Sequence, residues 1–156
     1  MPRAPFQVLV LPYRRGPVGL QVAIFHRADY DVWQFVSGGG ELGEAWEQAA
    51  RREGWEEAGI SRQLEYLRLD TMTTIPACWF AAWPTWPAEV LVVPEYAFAV
   101  DVADEPIRLS HEHRSFAWLG YDAAMERLRF DSNRNALWEL RERLAPAPRG
   151  KRPAYK

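Results

Sequence analysis

Apolar residues along this chain alternate in short runs and then recur every three to four positions, and the two rhythms divide it into strands and helices. Residues 6–11 (FQVLVL) predict a buried strand, Pro12 to Pro17 a turn, and Gly19 to Phe25 (GLQVAIF) the returning strand. Trp33 to Val36 predict a short strand that runs into a glycine turn. Glu44 to Ala58 carry helical spacing, and Gly59 stands where a glycine closes a helix. Residues 64–75 (LEYLRLDTMTTI) predict a strand, and 76–88, broken by Trp and Pro, a loop. Val90 to Val102 predict another strand, in which Pro94 argues for an edge or a bulge. Residues 115–119 give a last short strand, and Tyr121 to Phe130 and Asn133 to Leu144 two helices. This order predicts an α/β (α+β) protein with a mixed sheet between helical layers. Residues 1–144 are expected to form one domain, and the basic, proline-rich stretch 145–156 a flexible tail.

Composition narrows the class. The 156 residues suffice for one substantial core. A net charge of −2 supplies no field that would draw the chain to nucleic acid or to a membrane. No apolar run approaches the ~18 residues of a membrane span and no signal peptide is evident, so the expected location is cytoplasmic. One cysteine, Cys78, excludes an internal disulfide framework and a cysteine-based zinc cluster. Eight tryptophans point to aromatic surface that could serve a ligand or a homodimer contact.

The chemistry concentrates in residues 37–60, SGGGELGEAWEQAARREGWEEAGI. On a helix Glu53, Glu56 and Glu57 share an arc of roughly 100°. Like charges three and four residues apart repel and destabilise a bare helix. A hard divalent cation relieves that repulsion, taking oxygens from carboxylates, water and substrate phosphates. Gly38, Gly39 and Gly40 are expected to turn tightly and offer backbone N–H groups to an anion. Arg52 can brace a carboxylate with its planar fork. A salt-bridged surface helix would account for any two of these glutamates. With each residue type near ~7% of usage, the full set of seven positions coincides on the order of once per million chains of this length.

This segment resembles the Nudix box, Gly-x5-Glu-x7-Arg-Glu-U-x-Glu-Glu-x-Gly-U, where U is a bulky apolar residue. Gly38, Glu44, Arg52, Glu53, Glu56, Glu57, Gly59 and Ile60 match it. Gly54 departs, standing where an aliphatic residue is usual, and Trp46 or Trp55 is expected to fill the space. The resemblance implies a Nudix α/β/α sandwich and Mg²⁺- or Mn²⁺-dependent hydrolysis of a phosphoanhydride bond. It implies Glu53 and Glu57 as metal ligands, with Glu56 a third ligand or the base and Arg52 in the catalytic set. Glu44 is expected in a supporting role, paired with Arg52 or a metal-bound water. A further glutamate from outside the box is expected to join the metal and the catalytic groups; Glu112 is favoured over Glu95. His111 and His113 flank Glu112 and read as loop or outer-shell residues.

Other fragments resemble the bacterial dihydroneopterin triphosphate pyrophosphatase branch: Asp31 to Gly38 (DVWQFVSG), Glu112-His113 with Phe116-Ala-Trp118-Leu119, and Ser132-Asn133-Arg134. They imply substrate contacts from Arg27, Ser37 and Asn133, beside the backbone N–H groups of Gly38 and Gly39. The tryptophan-rich loop departs from that branch: its Trp79 and Trp83 could stack a pterin or nucleobase, or form a dimer contact or an exposed apolar patch. The implied partner is a small nucleotide-like molecule, a nucleoside diphosphate linked to another group, with dihydroneopterin triphosphate or another nucleoside triphosphate first. Dinucleoside polyphosphates, RNA 5′ ends and a non-catalytic nucleotide-binding module are the alternatives. A nucleic-acid partner would need clustered basic residues, which the folded part lacks.

Overall fold

Strand β1 (Arg3–Gly16) organises the fold because its alternating residues serve two cores. Val8 and Val10 pack on one face of the sheet and Leu9 and Leu11 on the other, all essentially inaccessible. The computed structural model describes residues 2–146 and 148–150. Strand β2 (Gly19–Arg27) returns from β1 through a hairpin, and β3 (Trp33–Gln34) pairs with β2. Strand β4 (Val36–Glu41) pairs antiparallel with the first half of β1 and leads into helix α1 (Trp46–Ala58). Strands β5 (Tyr66–Pro76), β6 (Val92–Asp101) and β7 (His113–Gly120) follow, then helices α2 (Tyr121–Arg127) and α3 (Asp131–Leu144). Among the described residues, one seven-stranded mixed sheet runs β3-β2-β1-β6-β5, with β1 parallel to β6. Ala49, Ala50 and Ala58 of α1 cover the Val8 face, and Ala124, Leu137 and Leu140 of α2 and α3 the Leu9 face. The result is the α/β/α sandwich with a mixed central sheet.

Three local expectations are corrected. Gly38 to Gly40 form no tight turn; they lie within β4, and the left-handed glycine nearby is Gly43, φ 82°. Their value is closeness. A Cβ at Gly38 would stand 2.1 Å from the Glu53 carboxyl carbon, at Gly39 2.1 Å from the Arg3 guanidinium carbon, and at Gly40 1.9 Å from the Phe6 ring. Strand β6 is interior rather than an edge. Pro94 is tolerated because pairing with β1 begins only at Glu95, so its missing N–H costs no bond there. The space beside Gly54 is taken by Tyr66, whose Oη would lie 2.4 Å from an added Cβ. Trp46 instead stacks on Tyr96 at 3.8 Å, and Trp55 is half-exposed under Arg108.

The predicted loop 76–88 contains two short 3₁₀ turns, Ala77–Trp79 and Trp83–Thr85. Its residues Ala77 and Trp86 form a small core with Val93, and Trp86 Nε1 donates to the Arg3 carbonyl at 2.8 Å. The loop is thereby fastened to β1. Cys78 within it is exposed. Of the stretch 145–156 read as a tail, Ala147 and residues 151–156 lie outside the described residues.

Tyr66 Oη is buried without a hydrogen-bond partner. Removing such an oxygen costs little, and here it opens room for a methyl. Gly54→Ala alone is expected to lose about 1–2 kcal/mol, overpacking outweighing the ~1 kcal/mol gain in helix propensity. In a Tyr66→Phe background the same change is expected to be neutral or stabilising. Urea unfolding of the four proteins checks it; equal losses in both backgrounds would contradict it.

Candidate active site

Helix α1 carries the acidic face onto β4. At its start Gln48 Oε1 accepts the Ala45 N–H at 2.8 Å. At its end Gly59, φ 68°, and Ile60 return their N–H groups to Trp55 and Gly54 carbonyls. Between these ends Arg52 holds the site together. Its Nε and Nη2 donate to Glu44 at 2.9 and 3.0 Å, its Nη1 to Glu53 at 2.8 Å and Glu56 at 3.2 Å, and its Nη2 also to the Gly39 carbonyl at 2.8 Å. Glu44 in turn accepts the Glu41 N–H at 2.9 Å. One guanidinium therefore joins helix to strand and fixes which way Glu53 faces.

Glu57 is a strongly perturbed carboxyl. It is 4% exposed and its Oε2 has no hydrogen-bond donor. Burial, then the charges of Glu53 and Glu112, push its pKa up to about 10. Glu53 and Glu112 both come within hydrogen-bonding reach of it, and carboxylates so close need a proton or a cation between them. Burial also raises Glu53, against the pull of Arg52. His113 Nε2 lies 3.9 Å from Glu57 Oε2, and burial keeps its imidazole below the ordinary range.

Glu112 arrives from the segment before β7. Ser110 N–H donates to the Glu57 carbonyl at 3.3 Å, Ala28 N–H to the Glu112 carbonyl at 2.9 Å, and Arg114 to the Arg27 and Ala28 carbonyls at 3.0 Å each. This lacing brings Glu112, distant in sequence, to the end of α1. Among the described residues no three His, Cys, Asp or Glu side chains already surround one metal-sized position. Glu53, Glu57 and Glu112 nevertheless fit a divalent ion: they are crowded, mutually repelling oxygen donors, one with a buried unpartnered oxygen.

A cleft of about 530 Å³ opens beside these carboxylates. Of the residues selected by sequence, Arg27, Ser37, Gly38, Glu57, Trp79 and Glu112 line it; His111 and His113 do too. Glu53 sits immediately behind Gly38. Arg27 is paired with Asp29 by two bonds of 2.7 and 2.6 Å, and Ser37 Oγ accepts from Gln7 at 2.8 Å. Gly39, Glu56, Trp83 and Asn133 are not in the lining. Gly39 lies under Arg3. Glu56 is exposed and faces Arg52. Trp83 is half-exposed within the loop, and Phe80 takes a wall position instead. Asn133 is buried and accepts the Phe35 N–H at 2.8 Å, so it ties α3 to the sheet. Glu95 is buried behind Gln7 and Ser37, and burial raises its pKa. Arg3 and Gln7 line the cleft without having been singled out. Their signal was a charge and an amide set into an otherwise apolar strand.

The NUDIX domain family model matches residues 5–140. The chain belongs to the NUDIX family. A protein of Listeria monocytogenes assigned to the NUDIX hydrolases is 41% identical, with a TM-score of 0.82 over 90% of this chain and 94% of that one. The Escherichia coli dihydroneopterin triphosphate pyrophosphohydrolase is 28% identical, with a TM-score of 0.70 over 86% and 93% of the two chains. An octanoyltransferase of Myxococcus xanthus is 34% identical over 125 residues, 79% of this chain; the chain spans about a third (32%) of that relative's length. As a NUDIX hydrolase the chain is a pyrophosphohydrolase, a class that generally works with divalent metal ions. Among the described residues no helix of this NUDIX chain is long and apolar enough to cross a membrane.

Two consequences are measurable. Glu57 is raised in the fold from an ordinary 4.5, so its contribution to stability is whole below that value and is lost as pH rises towards 10. Without metal the protein is expected to weaken across that window, more steeply than Glu57→Gln, in thermal melts; equal slopes would contradict it. His113, lowered by burial, weakens the fold only on the acid side and does not confound the comparison above neutrality. Gly38→Ala forces the Glu53 carboxyl aside. It is expected to stay folded, because that carboxyl is the free end of a side chain, while losing metal affinity by calorimetry; wild-type affinity would contradict it.

Proposed function

We propose that residues 1–144 act as one unit that hydrolyses a phosphoanhydride bond in a nucleoside diphosphate linked to another group. The observation that carries this reading is the Glu57 carboxyl, buried, unpartnered at one oxygen and pressed by Glu53 and Glu112 beside an open cleft. Glu53, Glu57 and Glu112 would hold Mg²⁺ or Mn²⁺. The bound ion supplies charge neutralisation at the bridging oxygens and acidifies water. Arg27, which lines the cleft beside Glu112, meets the phosphate chain, and Arg52 keeps the Glu53 carboxylate oriented. Of the two candidate bases, Glu112 lines the cleft and Glu56 faces Arg52, which favours Glu112 as proton acceptor.

Dihydroneopterin triphosphate is the first substrate, with another nucleoside triphosphate next. Supporting it are the fragments 31–38, 112–119 and 132–134 and the 28% identity to the E. coli enzyme. Trp79 and Phe80 at the cleft suit a planar ring, since stacking of one base on an aromatic side chain gives about 1–3 kcal/mol. A single cysteine and a nucleotide-like substrate suit the reducing cytoplasm.

Phosphate and pyrophosphate release tests this across dihydroneopterin triphosphate, nucleoside triphosphates, nucleotide sugars and dinucleoside polyphosphates, with and without Mg²⁺. One compound is expected to turn over only with metal. Glu57→Gln is expected to lose more than the roughly 10–100-fold that removal of an outer metal-site partner costs. No turnover of any compound, with the variant indistinguishable from wild type, would favour a binding module.

A further inference from the structure

One wall of the cleft is a chain of polar side chains that ends in a buried carboxyl. Glu95, 5% exposed on β6, accepts from Gln7 Nε2 at 3.0 Å and from Ser37 Oγ at 3.5 Å. Gln7 Nε2 also donates to Ser37 Oγ at 2.8 Å. Gln7 Oε1 then accepts from Arg3 Nη2 at 2.7 Å. Strand register makes this possible: Gln7 stands opposite Glu95 on one side and opposite Gly39 on the other.

The polarity of the chain is forced. The Arg3 guanidinium has donors only, so it takes the carbonyl end of the Gln7 amide and leaves the NH₂ end to a Glu95 carboxyl oxygen. With the amide reversed, Gln7 would set a donor against a donor at Arg3. The guanidinium is also confined face to face. Its carbon lies where a side chain on Gly39 would begin, and 4.9 Å from the Phe80 ring centroid on the fastened loop. Arg3 Nε is buried and has no hydrogen-bond partner. A planar cation held by its rim and lining the cleft is built to meet an oxygen acceptor.

We propose that Glu95 is a positioning residue which, through the Gln7 amide, presets the Arg3 guanidinium to receive an oxygen of the substrate in the cleft. Glu95 does not line the cleft, whereas Arg3, Gln7 and Ser37 do. It acts through Gln7 rather than on the reacting atoms. The acceptor is a phosphate oxygen or a ring carbonyl of the substrate. The proposal rests on the reading of the cleft as a substrate site, but the orientation of Arg3 does not depend on that reading.

The test therefore has two arms. The first uses no ligand: the Arg3 Nε–H signal by ¹⁵N NMR in wild type, Gln7→Met, Glu95→Leu and Glu95→Gln. Wild type is expected to show a slowly exchanging signal, Gln7→Met and Glu95→Leu to lose it, and Glu95→Gln, which can still turn an oxygen to Gln7, to keep it. A signal unchanged in both Gln7→Met and Glu95→Leu overturns the relay, whatever the enzyme hydrolyses. The second arm measures steady-state kinetics on the compound turned over in the release panel. Gln7→Met, Glu95→Leu and Arg3→Met are each expected to raise KM about tenfold, with a smaller effect on kcat. Gln7→Met added to Arg3→Met is expected to cost nothing more, because both break one interaction. Additive losses, or losses in kcat alone, overturn the positioning role. Inorganic pyrophosphate as competitor separates the two acceptors: its inhibition constant rises in Arg3→Met when the acceptor is a phosphate oxygen and is unchanged for a ring carbonyl. If wild type hydrolyses nothing, the substrate reading fails and the first arm still decides the relay.

Discussion

The site depends on one guanidinium among carboxylates. Arg52 binds Glu44 with two N–H groups, Glu53 and Glu56 with a third, and the Gly39 carbonyl from the same fork. Without it, α1 would carry like charges at three- and four-residue spacing and its acidic face would not be tied to β4. With it, Glu44 and Glu56 are compensated and Glu53 is aimed, while Glu57 is left buried and uncompensated. The strain is thus concentrated on one carboxyl, where a cation would relieve it.

Much of this was legible in the sequence. Glu53 and Glu57 at i,i+4 spacing, Arg52 beside them and Gly59 behind them are local features, and local features survive folding. The apolar run FQVLVL and the helical spacing of 44–58 located the centre of β1 and α1, because a strand buried on both faces is apolar throughout and a helix buried on one face repeats every three to four residues; β1 itself runs on to Gly16, through the predicted turn 12–17. The glycines were read for the wrong property. Gly38 and Gly39 have no unusual backbone angle; they are small because Glu53 and Arg3 lie against them, and that is a long-range contact. Tyr66 filling the space at Gly54 was hidden for the same reason. So was the place of Asn133, whose buried bond to Phe35 spans 98 positions.

The least legible part is the wall of the cleft that the strands build. Arg3, Gln7, Ser37, Phe80 and Glu95 come from β1, β4, β6 and the loop after β5, and the registers of β1 with β4 and β6 together with the fastened loop bring them together. The sequence offers the tryptophan-rich loop as a stacking surface for a pterin or nucleobase, or as a dimer contact or exposed apolar patch. Its Trp86 bond to the Arg3 carbonyl and its Phe80 ring under the Arg3 guanidinium make it part of that wall. The cleft thus joins an acidic side, built from α1 and the segment before β7, to a cationic and aromatic side built from the strands.

The central claim is that Glu57 keeps a proton near neutral pH which a divalent cation displaces. Calorimetric titration of Mn²⁺ at pH 7.5 in two buffers of different ionisation enthalpy measures this directly. About one proton released per ion bound is the predicted result, because a carboxyl must be deprotonated to serve as a ligand. Binding of the ion with no release of protons would contradict it.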